Sequence, residues 1–347
     1  MRVLVTGHNG YIGCALVPLL LEAGHDVGGL DNYLYETCTF GDDVESISAV
    51  RKDVRDVEAA DLEGFEAVIH LAAISNDPVG DLNADTTYDI NHRAASNLAR
   101  LAKEAGVSRF LFSSSCSLYG AAGDGFLDES AAFNPVTPYG HSKILAEQDM
   151  HLLADDDFSP TYLRNATAYG LSARLRGDLV VNNLAGYAFT TGEALIKSDG
   201  MPWRPLVHIE DISRAFVALL HAPREVVHDE AFNVGQTSEN YRVREVAAIV
   251  EEVVPGSKAT YSNEAAPDIR NYRVSCDKLE SLVPEYQPQW TVRRGVEQLY
   301  DAFLRNGLEL EDFLSRRFLR IKHVKELQEE GVLDEGLRRL DLEPTFV

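Results

Sequence analysis

The feature that most constrains this chain is a glycine-rich turn, Val5-Thr6-Gly7-His8-Asn9-Gly10-Tyr11-Ile12-Gly13, between its first apolar strand and its first helical stretch. Gly7 permits a tight turn, Gly10 lets backbone approach a pyrophosphate, and Gly13 lets helix and strand pack closely. The N-terminus of the helix adds free N–H groups and a partial positive charge at the same place. An ordinary turn also favours glycine; the strand before and the helix after are what select dinucleotide binding. Roughly twenty residues on, where such folds carry an acidic residue, the second strand ends at Asp31. A carboxylate there accepts from ribose hydroxyls and repels a 2′-phosphate. No arginine follows it nearby, so NAD is expected over NADP. His8 has no assignable role in this loop.

A turn of this kind needs a parallel sheet around it, and the first half of the chain supplies the pattern. Short β-branched runs at Val3–Thr6, Asp26–Leu30, Ser46–Arg51, Ala67–His70, Arg109–Phe112 and Thr161–Leu163 alternate with helical stretches at Tyr11–Ala23, Thr86–Ala105 and Tyr139–Leu153. Alternation of this type predicts an α/β fold, a doubly wound parallel sheet of Rossmann type. From about Gly170 short strands, prolines and glycines break the pattern, with helices expected at Val243–Val253 and Val292–Phe303. The expected division is a dinucleotide-binding domain over 1–169, to which later segments return, a smaller substrate-binding lobe over 170–305, and a helical C-terminal extension over 306–347. In the extension Phe313, Phe318, Ile321 and Val324 are the apolar positions.

With 55 acidic against 32 basic side chains, the net charge of −23 excludes nucleic acid and anionic membranes as natural partners. It also sets a problem: an anionic ligand must be held by local donors, helix N-termini and a few arginines, against the overall field. No apolar run is long enough to span a bilayer, and no signal segment precedes Val3. Four scattered cysteines without a CxxC pair argue against zinc and disulfides. A cytoplasmic protein with no metal site is the expectation.

Tyr139 and Lys143, four apart at the start of a predicted helix, share one face. A nearby ammonium favours phenolate, and a phenol tuned in this way can take a sugar hydroxyl proton. Such a pair is common by accident; its company raises it. The run Phe112-Ser113-Ser114-Ser115-Cys116-Ser117 stands at the carboxyl end of the fifth strand, where ligands of open α/β sheets bind.

Together these residues resemble the extended short-chain dehydrogenase/reductase family, the NAD-dependent sugar-nucleotide epimerases and dehydratases, over roughly residues 1–300. The family pattern TGxxGxIG matches Thr6 through Gly13, and the resemblance implies cofactor contacts from Gly7, Asn9, Gly10, Tyr11, Ile12 and Gly13. Further cofactor contacts are implied at Asp31-Asn32, Asp53-Val54, Leu71-Ala72-Ala73 after His70, and Asn91. The catalytic set it implies is Ser115, Tyr139 and Lys143, the latter two also meeting the cofactor. In the substrate lobe, Asn182-Asn183-Leu184 and Arg204-Pro205-Leu206-Val207-His208-Ile209 resemble the segments that hold the nucleotide diphosphate. Asn183 and Arg204 are the contacts, and His208 holds the turn before Asp211. Ser75, Cys116, Ser117 and Thr167 complete the implied substrate contacts. Two departures stand out. Thr167 replaces the family's Asn two residues before the Tyr-Gly pair. Its late Arg would fall at Ala265, three residues before Asp268, which leaves Arg270 to take its phosphate.

The family's dehydratases carry Asp-Glu after the catalytic hydroxyl residue, and Cys116-Ser117 stand there instead. Epimerisation through a transient keto sugar is therefore the expected reaction. A dehydratase or a simple oxidoreductase is the alternative within the family, and a non-catalytic NAD sensor the alternative outside it. Cys116 is a further candidate as a proton donor. A homodimer is implied, pairing through Thr86–Ala105 and Tyr139–Leu153 to cover Leu98, Leu145 and Leu152.

Overall fold

The computed structural model describes residues 1–41, 43–75, 77–262, 270–340 and 345–346. Its centre is one sheet. Seven parallel strands, β1 (Arg2–Thr6), β2 (Asp26–Asp31), β3 (Ala49–Arg51), β4 (Ala67–His70), β5 (Arg109–Ser115), β6 (Ser159–Asn165) and β7 (Glu230–Val234), lie in the order β7-β6-β5-β4-β1-β2-β3. An eighth, β8 (Thr345–Phe346), joins β3 antiparallel at the edge. The chain order reverses between β1 and β4, which pair from Val3↔Ala67 to Thr6↔His70. Reversal opens a crevice beyond the carboxyl ends of these strands.

Both faces of the sheet are covered, as parallel strands require. Side chains alternate across it: Val3 and Val5 face one core with Leu16, Val17 and Leu20 of helix α1 (Gly13–Glu22). Leu4 faces the other, with Leu98, Ala99 and Ala102 of α2 (Ala95–Glu104) and Ala146 and Met150 of α3 (Pro138–His151). Leu98 is thus fully buried inside the protomer, which corrects the expectation that it awaits a partner; of that set, Leu145 is half-buried and Leu152 is 80% exposed.

The stretch expected as one helix over Thr86–Ala105 is three pieces: Ala84–Tyr88, a π-helical turn at Asp89–Ala94, and α2. The expected strand over Ser46–Arg51 pairs only from Ala49. Beyond β6 a smaller lobe gathers strands Thr167–Tyr169, Trp203–His208 and Asn240–Arg242 into a small sheet. Helices Val180–Thr191, Val243–Val253 and Val292–Asn306 pack around a separate core. The segment that follows is committed to both parts. Phe313 and Phe318 fill the lobe core, while Val324, Leu333 and Leu337 pack on Ile74 and Val79 beside the sheet. Among the described residues no helix is long and apolar enough to cross a membrane.

Candidate active site

A cavity of about 1010 Å³ lies over the β1–β4 reversal, between the sheet and the lobe. The glycine turn forms its floor. Gly7 has φ 76°, and a Cβ there would sit 2.7 Å from the Ala72 nitrogen; one on Gly13 would sit 2.4 Å from the carbonyl oxygens of Gly7 and His8. Any side chain would force the loop, α1 and β4 apart, so the backbone is left bare where a pyrophosphate would approach. Thr6 Oγ1 and His70 Nδ1, 2.6 Å apart, tie β1 to β4 beneath it. Burial, with the Lys143 charge adding to it, holds that imidazole down to about 3, so it is a neutral strut.

Asp31 closes one end. Its carboxylate accepts from the backbone N–H groups of Asn9 (3.0 Å) and Tyr33 (2.7 Å), which fix it against the loop. Burial pushes the carboxyl up, opposed by His8 and these two amides. A ribose hydroxyl is the neutral donor such a carboxylate suits, and a phosphate is the group it rejects. Asp53, nearby on the cavity wall, is gripped by Arg55, whose Nε and Nη2 lie 2.9 and 2.6 Å away. The donor and acceptor set therefore fits NAD along its whole adenosine and diphosphate length.

Ser115, Tyr139 and Lys143 line the same cavity. Pro138 begins α3, and the Thr137 hydroxyl caps it by accepting from Gly140 N. This places Tyr139 in the first turn and Lys143 one turn on, its Nζ 5.8 Å from the Tyr139 ring centre. The ammonium is 2% exposed and donates to the Ser113 carbonyl at 2.8 Å, over the Phe112 ring. Burial drops it to about 7, with Glu147 pulling the other way. One turn further, Glu147 pairs with Arg164 of β6 at 2.7 Å in a buried ion pair that clamps α3 to the sheet. Ser115 Oγ caps the next short turn by accepting from Ser117 N at 3.1 Å.

Of the residues expected to meet the cofactor, Gly7, Asn9, Gly10, Tyr11, Ile12, Gly13, Asp31, Asn32, Asp53, Val54, Leu71, Ala72 and Ala73 line the cavity. Ser75, Ser117, Thr167, Asn183, Arg204 and Arg270, expected to meet the substrate, line it too. Two do not line it. Asn91 sits in the π-helical turn and bonds both the N–H and the C=O of Ile74 at 2.8 Å, so it shapes the loop after β4 without facing the cavity. Cys116 is fully buried, its thiol donating to the Arg164 carbonyl at 3.0 Å among Tyr119, Val274 and Cys276. The turn capped by Ser115 swings residue 116 into this cluster, and burial pushes its thiol far up. Cys116 is therefore turned away from the cavity in which a substrate contact or proton donor would stand. Ala265 and Asp268 lie outside the described residues. His208 is structural: it caps its helix, stacks on Trp290 at 3.9 Å and bonds Gln298.

Three lining residues and one behind them carry no sequence signature. Asn165 donates to Ser113 Oγ at 3.0 Å, at the site of the missing family Asn but two residues earlier. Arg174 binds Asn9 through Nη2 at 2.8 Å just behind the lining, while Arg176 and Arg320 line it directly. Arg176 bonds Asp178 at 2.9 Å and Ser75 at 3.1 Å. The signal available was chemical: in so acidic a chain, Arg174 and Arg176, two residues apart in an otherwise apolar stretch, needed a purpose. Leu319 and Ile321 flank Arg320 on the lining.

Residues 3–235 match the family described as the NAD dependent epimerase/dehydratase family. The UDP-glucose 4-epimerase of Mycolicibacterium smegmatis is 29% identical over 317 residues, covering 87% of this chain and 98% of that protein. That of Bacillus subtilis is 27% identical over 328 residues, covering 86% and 94%. Among solved structures, MoeE5 in complex with UDP-glucuronic acid and NAD superimposes with a TM-score of 0.77 at 26% identity, covering 88% of this chain and 99% of that one.

Proposed function

This chain belongs to the NAD dependent epimerase/dehydratase family, and we propose that within it the protein is a nucleotide-sugar epimerase working through a transient keto sugar. The observation that carries this reading is the convergence of Ser115, Tyr139 and Lys143 on the cavity floored by the glycine turn. When bound, NAD supplies the acceptor for a hydride from the sugar carbon and returns it to the opposite face. The Tyr139 phenol takes the hydroxyl proton as the carbon is oxidised and gives it back on reduction. Ser115 shares that proton and steadies the alkoxide. Lys143 holds a positive charge beside the phenol and favours its ionised form. Arg204 and Asn183 hold the nucleotide diphosphate, with Arg270 beside them. Arg204 Nη1 donates to the Trp203 and Arg270 carbonyls, which brings the two arginines together on the wall.

A dehydratase needs a carboxylate pair near the oxidised carbon to expel water. Among the described residues the carboxylates lining the cavity are Asp31, Asp53, Asp81 and Asp178. None stands on β5 or α3; Asp31, Asp53 and Asp178 are held by backbone amides, Arg55 and Arg176 respectively. This supports epimerisation over elimination. A catalytically silent sensor would need the glycine turn without the buried lysine.

Incubation with a panel of nucleotide sugars in deuterated buffer, read by NMR, tests the reading. Epimerisation at C4 leaves no solvent deuterium on carbon. Deuterium incorporation would point to dehydration or to C3 or C5 chemistry and overturn it. Four free thiols support a cytoplasmic setting. The assembly proposed is a homodimer through the α2–α3 face, where Leu152 is exposed; a monomer in sedimentation at micromolar concentration would sink it.

A further inference from the structure

Three buried arginines meet near the N-terminus of α1, and among the described residues only Arg176 of the three has an ion-pair partner. Arg174 and Arg320 act electrostatically on Cys14 in the first turn of α1; Arg176 and Arg320 act on Tyr11 just before it. Arg174 faces Asp31 at a distance and binds the Asn9 side chain, while Arg176 is paired with Asp178. Arg320 is 3% exposed and packs its guanidinium 4.2 Å over the Tyr35 ring. Its Nη2 donates to the Arg174 carbonyl at 2.8 Å. Its Nη1 is buried with no hydrogen-bond partner among the described residues, which also give it no ion pair. Burial pushes its charged form down, with Arg176 adding to it and Cys38, Tyr35 and Asp178 opposing only in part.

A guanidinium does not shed its proton in a protein, so an uncompensated one in such a place is retained at a cost unless an anion arrives. The cavity it lines is also lined by Gly10, Tyr11 and Gly13, the backbone that a helix N-terminus offers to phosphate. We propose that Arg320, supplied by the C-terminal extension, is a ligand of the NAD diphosphate, and that the extension is thereby part of the cofactor site. Its fork of donors matches phosphate oxygens, and the free Nη1 is the donor left for them.

The extension is anchored well enough to hold Arg320 in place. His323 Nε2 bonds the Leu34 carbonyl at 2.8 Å, and Arg55 Nη1 donates to the Gly336 carbonyl at 2.7 Å. Leu337 lines the cavity, as do Val54 and Ile90, so the same segment that brings the charge also supplies part of the wall. This accounts for how an anionic cofactor is held by a protein with a net charge of −23: positive charge is recruited from a segment distant in sequence from the glycine turn.

The proposal rests on NAD as the cofactor and not on the epimerase reading, so its test is binding. Wild type and Arg320→Gln are titrated with ADP-ribose and with adenosine, alongside thermal melting. Loss of a charged hydrogen bond predicts about 10- to 100-fold weaker ADP-ribose binding, with adenosine unchanged. Equal weakening of both would make Arg320 a scaffold residue, and no change in either would leave it without a role; each overturns the proposal. If Arg320→Gln melts far below wild type, Arg320→Lys replaces it. That variant keeps the charge and loses the fork, so ADP-ribose weakens several-fold and adenosine holds; any other result overturns the proposal. Turnover of nucleotide sugars is irrelevant to every arm.

Discussion

The floor of the cavity and its far wall are built on opposite plans. The floor comes from two nearby stretches, Gly7–Gly13 and Asp31, and works by backbone: bare amides, absent Cβ atoms and one carboxylate pinned by two N–H groups. The wall comes from Arg176, Asn183, Arg204 and Arg270, scattered over roughly a quarter of the chain, and works by side chains at the ends of long stems. A backbone site is specified once the fold forms. A side-chain site depends on segments with little else in common meeting at one place, and it can be retuned one residue at a time. The difference separates a cofactor shared by a family from a substrate that varies within it.

Tyr139→Phe probes the seam between the two and has the largest expected effect. It should lower kcat by about 10²–10⁴-fold, as removal of a positioned acid-base group does, with NAD binding and melting temperature unmoved. Turnover within a factor of a few of wild type would put the proton relay elsewhere, and the burial of Cys116 removes the nearest substitute.

Arg204→Gln should act on the wall alone. The KM for the nucleotide sugar should rise about 10- to 100-fold, the range for a charged hydrogen bond to phosphate, and NAD affinity should stay put. A parallel loss of NAD affinity would break the division drawn above. Asp31→Ala sits on the floor and should do the converse. The preference for NAD over NADP should narrow by about tenfold, in line with about 1.4 kcal/mol of lost ribose contact and repulsion, while the sugar KM holds. Equal affinities for the two cofactors in the unaltered protein would remove the role given to Asp31.

The smallest effect is on stability. Lys143→Met removes a buried ammonium and should raise the melting temperature by a few degrees as activity falls. The unfolded chain keeps that proton up to the ordinary value of 10.5, whereas the folded chain releases it near 7. The penalty is therefore complete below about pH 7 and fades as pH climbs toward 10.5. The gap between variant and wild type should shrink across that window, and a constant gap would show that the lysine sits there without strain.

The floor was legible in the sequence because its signals are local. Gly7, Gly10, Gly13 and Asp31 carry their geometry in their spacing, and β1, β4, α1 and α3 fall within a few residues of their expected limits. Of the wall, Asn183, Arg204 and Arg270 were legible through the family resemblance but Arg176 was not; nor was Arg320, since nothing in the sequence near it says that it will line the same cavity as Gly10. The charged run around it reads as a solvated helix face, and only the fold of Phe313 and Phe318 into the lobe core brings it inward. Cys116 misled for a related reason: in a run of polar strand-end residues, sequence cannot say which way each one turns. Asn91 was expected as a cofactor contact from a regular helix, but it sits in a π-helical turn, of which a helical period gives no warning, and its side chain is taken up by Ile74.

That turn has a consequence of its own. An α-helix advances about 100° per residue, so the extra residue accommodated between Asp89 and Ala94 resets the angular phase of everything after it. Asn91 lies inside this turn, and its side chain reaches both the N–H and the C=O of Ile74 from there. The chain is thus locked to a length at this point: deleting one residue there would turn Asn91 away from Ile74 and unhook the loop that borders the cavity. Substitutions on the outer face of α2 would be absorbed, but a change in residue count would not.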